Sequence, residues 1–232
     1  MLKGGPVVSG LPVQRLMIDQ PDGSHSAWRS AATRTIALAV VASSALESYL
    51  WLGTLQAAVA LAGLVMVLLI NDGHLPVLGL RLVPVQGWRY WIGMTIWFGL
   101  GIAVLLAIFV AVWWMLEWTI PLRRTEPRYM WRTMLLMCVY APFVEEVVFR
   151  GLLTVAVLPT FGRWGTILIS GTVFALLHIA GGNPGPDNQV AGFLLAWAFL
   201  RSETILVPIV MHAAGNLIAL GIQIAAWYLR AG

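Results

Sequence analysis

Three short stretches set acid, base and amide groups at helical spacing in a chain that otherwise avoids them. "FVEEVVFRG" at 143–151 carries Glu145, Glu146 and Arg150, "GTVFALLHIAG" at 171–181 carries Phe174 and His178, and "VPIVMHAAGN" at 207–216 carries Pro208, His212 and Asn216. Amide hydrolysis needs an activated water, a proton for the leaving nitrogen and donors for the developing oxyanion. A carboxylate such as Glu145 can take a proton from water and return it. His178 can orient that water, and His212 with Asn216, one helical turn apart, can present donors to the substrate carbonyl.

The spacing inside the first stretch separates its charges. At roughly 100° per residue, Glu146 and Arg150 lie about 40° apart on one helix face, the favourable order with the acid N-terminal. Glu145 points about 100° away from Glu146, which leaves it the less neutralised carboxylate. Small residues at Gly171 and Ala175 share a face with Phe174 and His178, so a neighbouring helix can approach closely there. Pro208 is expected to free the carbonyl of Thr204 and kink its helix in front of His212.

The elements that carry these groups are membrane helices. Of 232 residues, 59% are hydrophobic and only 10% charged, where a soluble domain carries about a quarter charged residues. Apolar runs at 35–70, 90–120, 133–158, 164–180, 190–200 and 204–229 lack the alternation of strands, and spanning segments without it must be helical. The expected fold is all-α, a polytopic transmembrane bundle of six or seven spans around an intramembrane polar cavity. The run 35–70 is too long for one crossing, yet Gly53 and the polar pair Glu47-Ser48 are weak breaks; one span with an amphipathic lead-in is the preferred reading. Within these runs the strongly polar residues are Glu47, Glu117, Glu145, Glu146, Arg150, His178, His212 and Asn216. Each charge at a bilayer centre costs roughly 2.5–3.5 kcal/mol unless paired, so such groups are functional candidates by default.

Other chemistry fits some of the same residues. Each motif alone also reads as packing: a helix-internal ion pair, a hydrogen-bonded histidine, an interhelical clasp. Glu145, His178 and His212 could instead be three zinc ligands with water in the fourth position, although no HExxH pair exists. The only cysteine, Cys138, falls near the face of Glu145 but has the look of a small packing residue; it excludes an intrachain disulfide and any cysteine-based metal cluster. Every Asp lies in the tail or loops, which disfavours an aspartyl mechanism. A non-catalytic immunity or peptide-binding protein, or a proton-coupled transporter, would use the same polar cluster differently.

Together the stretches resemble the EExxxR, FxxxH and HxxxN motifs of the CAAX-protease and bacteriocin-processing (CPBP, or Abi) membrane endopeptidases, in matching order over 137–220. "FLRSETILVPIVMH" at 199–212 resembles the family's approach to its last motif, and "LGLR" at 78–81 is a weaker likeness. The resemblance implies an all-helical bundle with its catalytic cavity within the bilayer, and a glutamate-type rather than metal enzyme. It implies that Glu145 activates water with Glu146 and Arg150 in support, that His178, His212 and Asn216 complete the site, and that Phe174 belongs to the substrate cavity. No resident cofactor is implied; zinc is the alternative.

One protease domain is expected at 35–230, preceded by a cytoplasmic tail at 1–34. That tail shows no cleavable targeting pattern. The net charge of +4 resides in loops and so describes topology and anionic lipid rather than nucleic acid. With one span in 35–70, Lys3, Arg15, Arg29 and Arg34 share the cytoplasmic side with Arg123, Arg124, Arg128 and Arg132. Trp88, Trp91, Trp113, Trp114, Trp118 and Trp131 are expected at the interfaces. The expected partners are the bilayer and a membrane protein or peptide substrate, in a bacterial cytoplasmic membrane.

Overall fold

The computed structural model describes residues 23–50, 55–72, 78–117 and 123–231, with side chains at 30–46, 55–72, 78–117 and 123–228. Among them there is no strand. The helices are α1 (Gly23–Leu50), α2 (Gln56–Ile70), α3 (Trp88–Met115), α4 (Met130–Leu135), α5 (Ala141–Glu146), α6 (Thr154–Ala180), α7 (Pro186–Ser202) and α8 (Leu206–Ala231). α3 and the segment Leu206–Tyr228 are long and apolar enough to cross a membrane by themselves, and Ser30–Leu46 and Gln56–Ile70 are shorter apolar helices.

The apolar run 35–70 is two helices rather than one. Asn71 Nδ2 donates to Thr33 Oγ1 at 3.1 Å, and Gly63 faces Val40 so closely that a Cβ would stand 2.4 Å from its methyl. Thr33 meeting Asn71 while Val40 meets Gly63 makes α1 and α2 an antiparallel hairpin. Close packing around Gly63 supplies what the run lacks in turn signals; the expected weak break at Gly53 lies outside the described residues, as does the side chain of Glu47. α1 begins at Gly23, inside the segment expected as tail.

The motif-bearing rod runs from Met130 to a break at Gly162, where φ is 62°, and two π-helical segments interrupt it. The first, Leu136–Tyr140, ends two residues before Pro142, which has no N–H to offer the preceding turn. The second, Val147–Leu153, widens the helix directly after the two glutamates. It leaves the Phe149 carbonyl able to accept from Thr154 Oγ1 at 3.2 Å and Ser170 Oγ at 3.3 Å. The π-turn thereby joins its own helix to α6. Such insertions concentrate at functional sites.

The core gathers Val144, Val148, Leu152, Phe174, Ala196 and Phe199 between these elements. Trp91 is a correction. Expected at an interface, it is 1% exposed and packs edge-on against Trp197 at 5.7 Å, with its Nε1 donating to Gln86 Oε1. Trp114 and Trp131 are exposed as expected, whereas Trp118 lies outside the described residues.

Candidate active site

The second π-segment and α5 bring the adjacent glutamates to different partners. Glu146 is fully buried, and its Oε1 accepts from Arg150 Nη1 at 3.1 Å and from His212 Nδ1 at 2.8 Å. Arg150, equally buried, also donates through Nη2 to the Gly192 carbonyl at 3.0 Å and lies over the Phe174 ring at 4.8 Å. The expected Glu146–Arg150 pair is present, and it ties the motif rod to α7 and α8.

Glu145 stays out of that network. Its Oε2 lies 3.7 Å from His178 Nε2 and 3.9 Å from His212 Nε2, and this buried oxygen makes no hydrogen bond among the described residues. Both imidazoles are oriented from behind. His178 Nδ1 donates to the Phe174 carbonyl at 3.0 Å, so in the neutral ring Nε2 carries the lone pair that faces Glu145. His212 is held by Glu146 through Nδ1, which likewise turns its Nε2 toward Glu145.

Phe174 is the platform for both rings. It stacks on His178 at 4.1 Å and meets His212 edge-on at 5.8 Å. It is also completely buried, and the one-turn offset to His178 places its ring beneath the imidazole. A cleft of about 260 Å³ reaches Glu145 and His178, and its other walls are Gln56, Phe149, Leu177, Gly181 and Asn183.

Gly171 behaves as the small-residue reading expects. A Cβ there would stand 2.4 Å from the Phe193 ring, and one at Gly192 would stand 2.9 Å from the Gly171 carbonyl oxygen. This crossing lets α7 deliver the Gly192 carbonyl to Arg150.

Asn216 is anchored to the motif rod. Its Nδ2 donates to the Met137 carbonyl at 2.6 Å, in the first π-segment, so one of its two amide hydrogens is committed to the rod rather than to a substrate oxygen. The expected kink at Pro208 is absent. α8 begins at Leu206, which puts Pro208 in a first turn where no N–H is needed, and the Thr204 carbonyl accepts from Ser202 Oγ at 3.1 Å.

The zinc arrangement of Glu145, His178 and His212 does not fit as the side chains stand. Among the described residues, no three His, Cys, Asp or Glu side chains close into a metal-holding group. Sequence reasoning missed Gln56, Phe149, Leu177, Gly181, Asn183 and Gly192. Phe149 lies inside the motif stretch and Gln56 stands three residues after Gly53; nothing in the sequence marks Gly192.

No curated protein and no solved structure matches the chain. A family model described as type II CAAX prenyl endopeptidase Rce1-like matches residues 127–218, the stretch that holds every glutamate, histidine and amide of the motif set. That match over residues 127–218 supports assignment to the CAAX-protease (CPBP) family.

Proposed function

We propose that the chain is an intramembrane endopeptidase that hydrolyses a peptide bond near the membrane-embedded or C-terminal part of a protein substrate, using water activated by Glu145. The observation that carries this reading is the separation of roles between two adjacent carboxylates. Glu146 is tied up through Oε1 by Arg150 and His212, while Glu145 faces two imidazole Nε2 atoms on a cleft.

In the proposed reaction, water enters beside Glu145 and donates one hydrogen to its carboxylate and the other to His178 Nε2. Glu145 takes the proton as the oxygen attacks the substrate carbonyl, and the His212 imidazolium, its Nδ1–H held by Glu146, donates a hydrogen bond from its second proton-bearing nitrogen, Nε2–H, to the developing oxyanion. Collapse of the tetrahedral intermediate breaks the C–N bond, and Glu145 returns the proton to the departing amine. Asn216 supports this arrangement by fastening α8 to the first π-segment. No metal takes part, so activity persists in chelator and the active protein contains no stoichiometric zinc. The bundle crosses the bilayer six or seven times, with the cleft within it and with a membrane protein or peptide as substrate.

The test compares membranes containing the unsubstituted chain with membranes containing Glu145→Gln, reading membrane-protein C-termini by mass spectrometry. New termini should arise only with the unsubstituted chain. Identical sets of termini would overturn the reading.

A further inference from the structure

Two carboxamides line the cleft beside Glu145. Gln56 opens α2, and Asn183 follows the turn that closes α6; both line the cleft together with Glu145 and His178. Neither side-chain amide makes a hydrogen bond among the described residues. Asn183 is held in place by its backbone: its N–H donates to the His178 carbonyl at 2.8 Å, and its own carbonyl accepts from Asn188 Nδ2 at 3.2 Å. The preceding turn passes through Gly182 at φ 72°, a left-handed conformation natural to glycine. Asn183 is thereby folded back toward the imidazole that faces Glu145.

The remaining cleft walls are apolar: Phe149 and Leu177, with Gly181 offering bare backbone. In such a setting an unwound peptide leaves N–H and C=O groups with no partner. A helical segment has no such need, because its backbone bonds are internal. A primary carboxamide offers a donor and an acceptor at once, matching one peptide unit.

We infer that Gln56 and Asn183 are substrate-binding residues that pair with the backbone of an extended, non-helical polypeptide segment laid along the cleft past Glu145. This assignment rests on the endopeptidase reading for the purpose of the segment, but it makes a claim about binding alone. The ligand class is an apolar peptide in extended conformation, recognised through its main chain rather than through a particular side chain.

Binding is measured on the full-length chain carrying Glu145→Gln in detergent micelles, with two fluorescein-labelled dodecapeptides. One contains Leu, Val and Ala with a central Pro that keeps it extended; the other contains Leu and Ala with α-aminoisobutyrate that makes it helical. Fluorescence anisotropy should show the extended peptide binding at least tenfold more tightly. Gln56→Leu and Asn183→Leu, added singly, should each weaken it about tenfold with the melting temperature unchanged. If either variant fails to fold, a benzophenone-bearing extended peptide replaces it as the readout on the Glu145→Gln chain, and should crosslink beside 56 or within 177–183. Unchanged affinity in both folded variants, equal affinity for the two peptides, absence of binding, or crosslinks confined elsewhere would overturn the proposal. Turnover of a quenched version of the extended peptide by the unsubstituted chain is scored separately. Binding through Gln56 and Asn183 without turnover would sink the endopeptidase reading and leave this assignment standing.

Discussion

Glu146 and His212, 66 positions apart in the chain, share a 2.8 Å hydrogen bond between Oε1 and Nδ1, and Arg150 shares the same oxygen at 3.1 Å. A buried carboxylate bound on two sides is a structural joint. Removing one partner of a buried ion pair leaves the other charge uncompensated, at about 3–5 kcal/mol. Glu146→Gln and Arg150→Ala should therefore lower the unfolding midpoint steeply and reduce the amount of folded protein recovered from membranes. An unchanged midpoint for both would contradict this role.

Glu145→Gln should behave in the opposite way. The Glu145 carboxylate makes no ion pair with Arg150, so exchanging it for an isosteric amide should leave the melting curve nearly in place. Loss of a positioned proton acceptor is worth about 10²–10⁴ in rate. Peptide turnover and a thermal melt on the same preparation check both halves, and comparable losses of folded protein at 145 and 146 would refute the division of labour.

That division was legible in the sequence because a helix face is a periodic quantity: the offset between Glu145 and Glu146 survives even the widening at Val147–Leu153. The hairpin of α1 and α2 was hidden, since Val40 against Gly63 is a fit between two surfaces and carries no turn signature. Trp91 misled for a physical reason. Aromatic side chains suit cavities and interfaces as well as cores, and only the packing of α7, with Gly192 against Gly171 and Trp197 against Trp91, decides which they are. Pro208 turned on a helix start that the apolar run 204–229 does not mark.

The Gly171–Gly192 crossing gives a third expectation. A methyl at Gly192 would press on a backbone oxygen at 2.9 Å and on Phe174 at 3.0 Å, neither of which is the free end of a flexible chain. Overpacking of this kind costs about 1–3 kcal/mol. Since the Gly192 carbonyl is also an acceptor for Arg150, Gly192→Ala should reduce melting temperature and turnover together. Wild-type values for both would mean that α7 has freedom to shift.

Phe174→Leu separates orientation from stability. Leucine keeps most of the apolar volume but removes the ring that stacks on His178 at 4.1 Å. Misaligned catalytic groups lose rate even when every group is present, so kcat should fall by about tenfold while the melting temperature drops only modestly. If kcat holds while KM rises, Phe174 touches substrate after all.

The loop at Leu78–Arg81 and the turn between α7 and α8 are joined by side chain and backbone. Arg81 Nη1 meets Glu203 Oε2 at 2.7 Å, the Ile205 N–H donates to the Gly79 carbonyl at 2.8 Å, and Thr204 Oγ1 donates to the Arg81 carbonyl. Glu203 sits at φ 57°, where a residue other than glycine, asparagine or aspartate is strained, and its carboxylate pairs with Arg81. Because Arg81 is 44% exposed, the ion pair alone is worth about 1 kcal/mol at most. Arg81→Glu should therefore destabilise through repulsion with Glu203, and pairing it with Glu203→Arg should recover most of the lost melting temperature. Glu203→Gly relieves the backbone but loses the pair, so its midpoint should lie between those of Arg81→Glu and the unsubstituted chain. A double variant no more stable than Arg81→Glu would mean that the backbone bonds, rather than the charges, hold the loop to the start of the helix carrying His212.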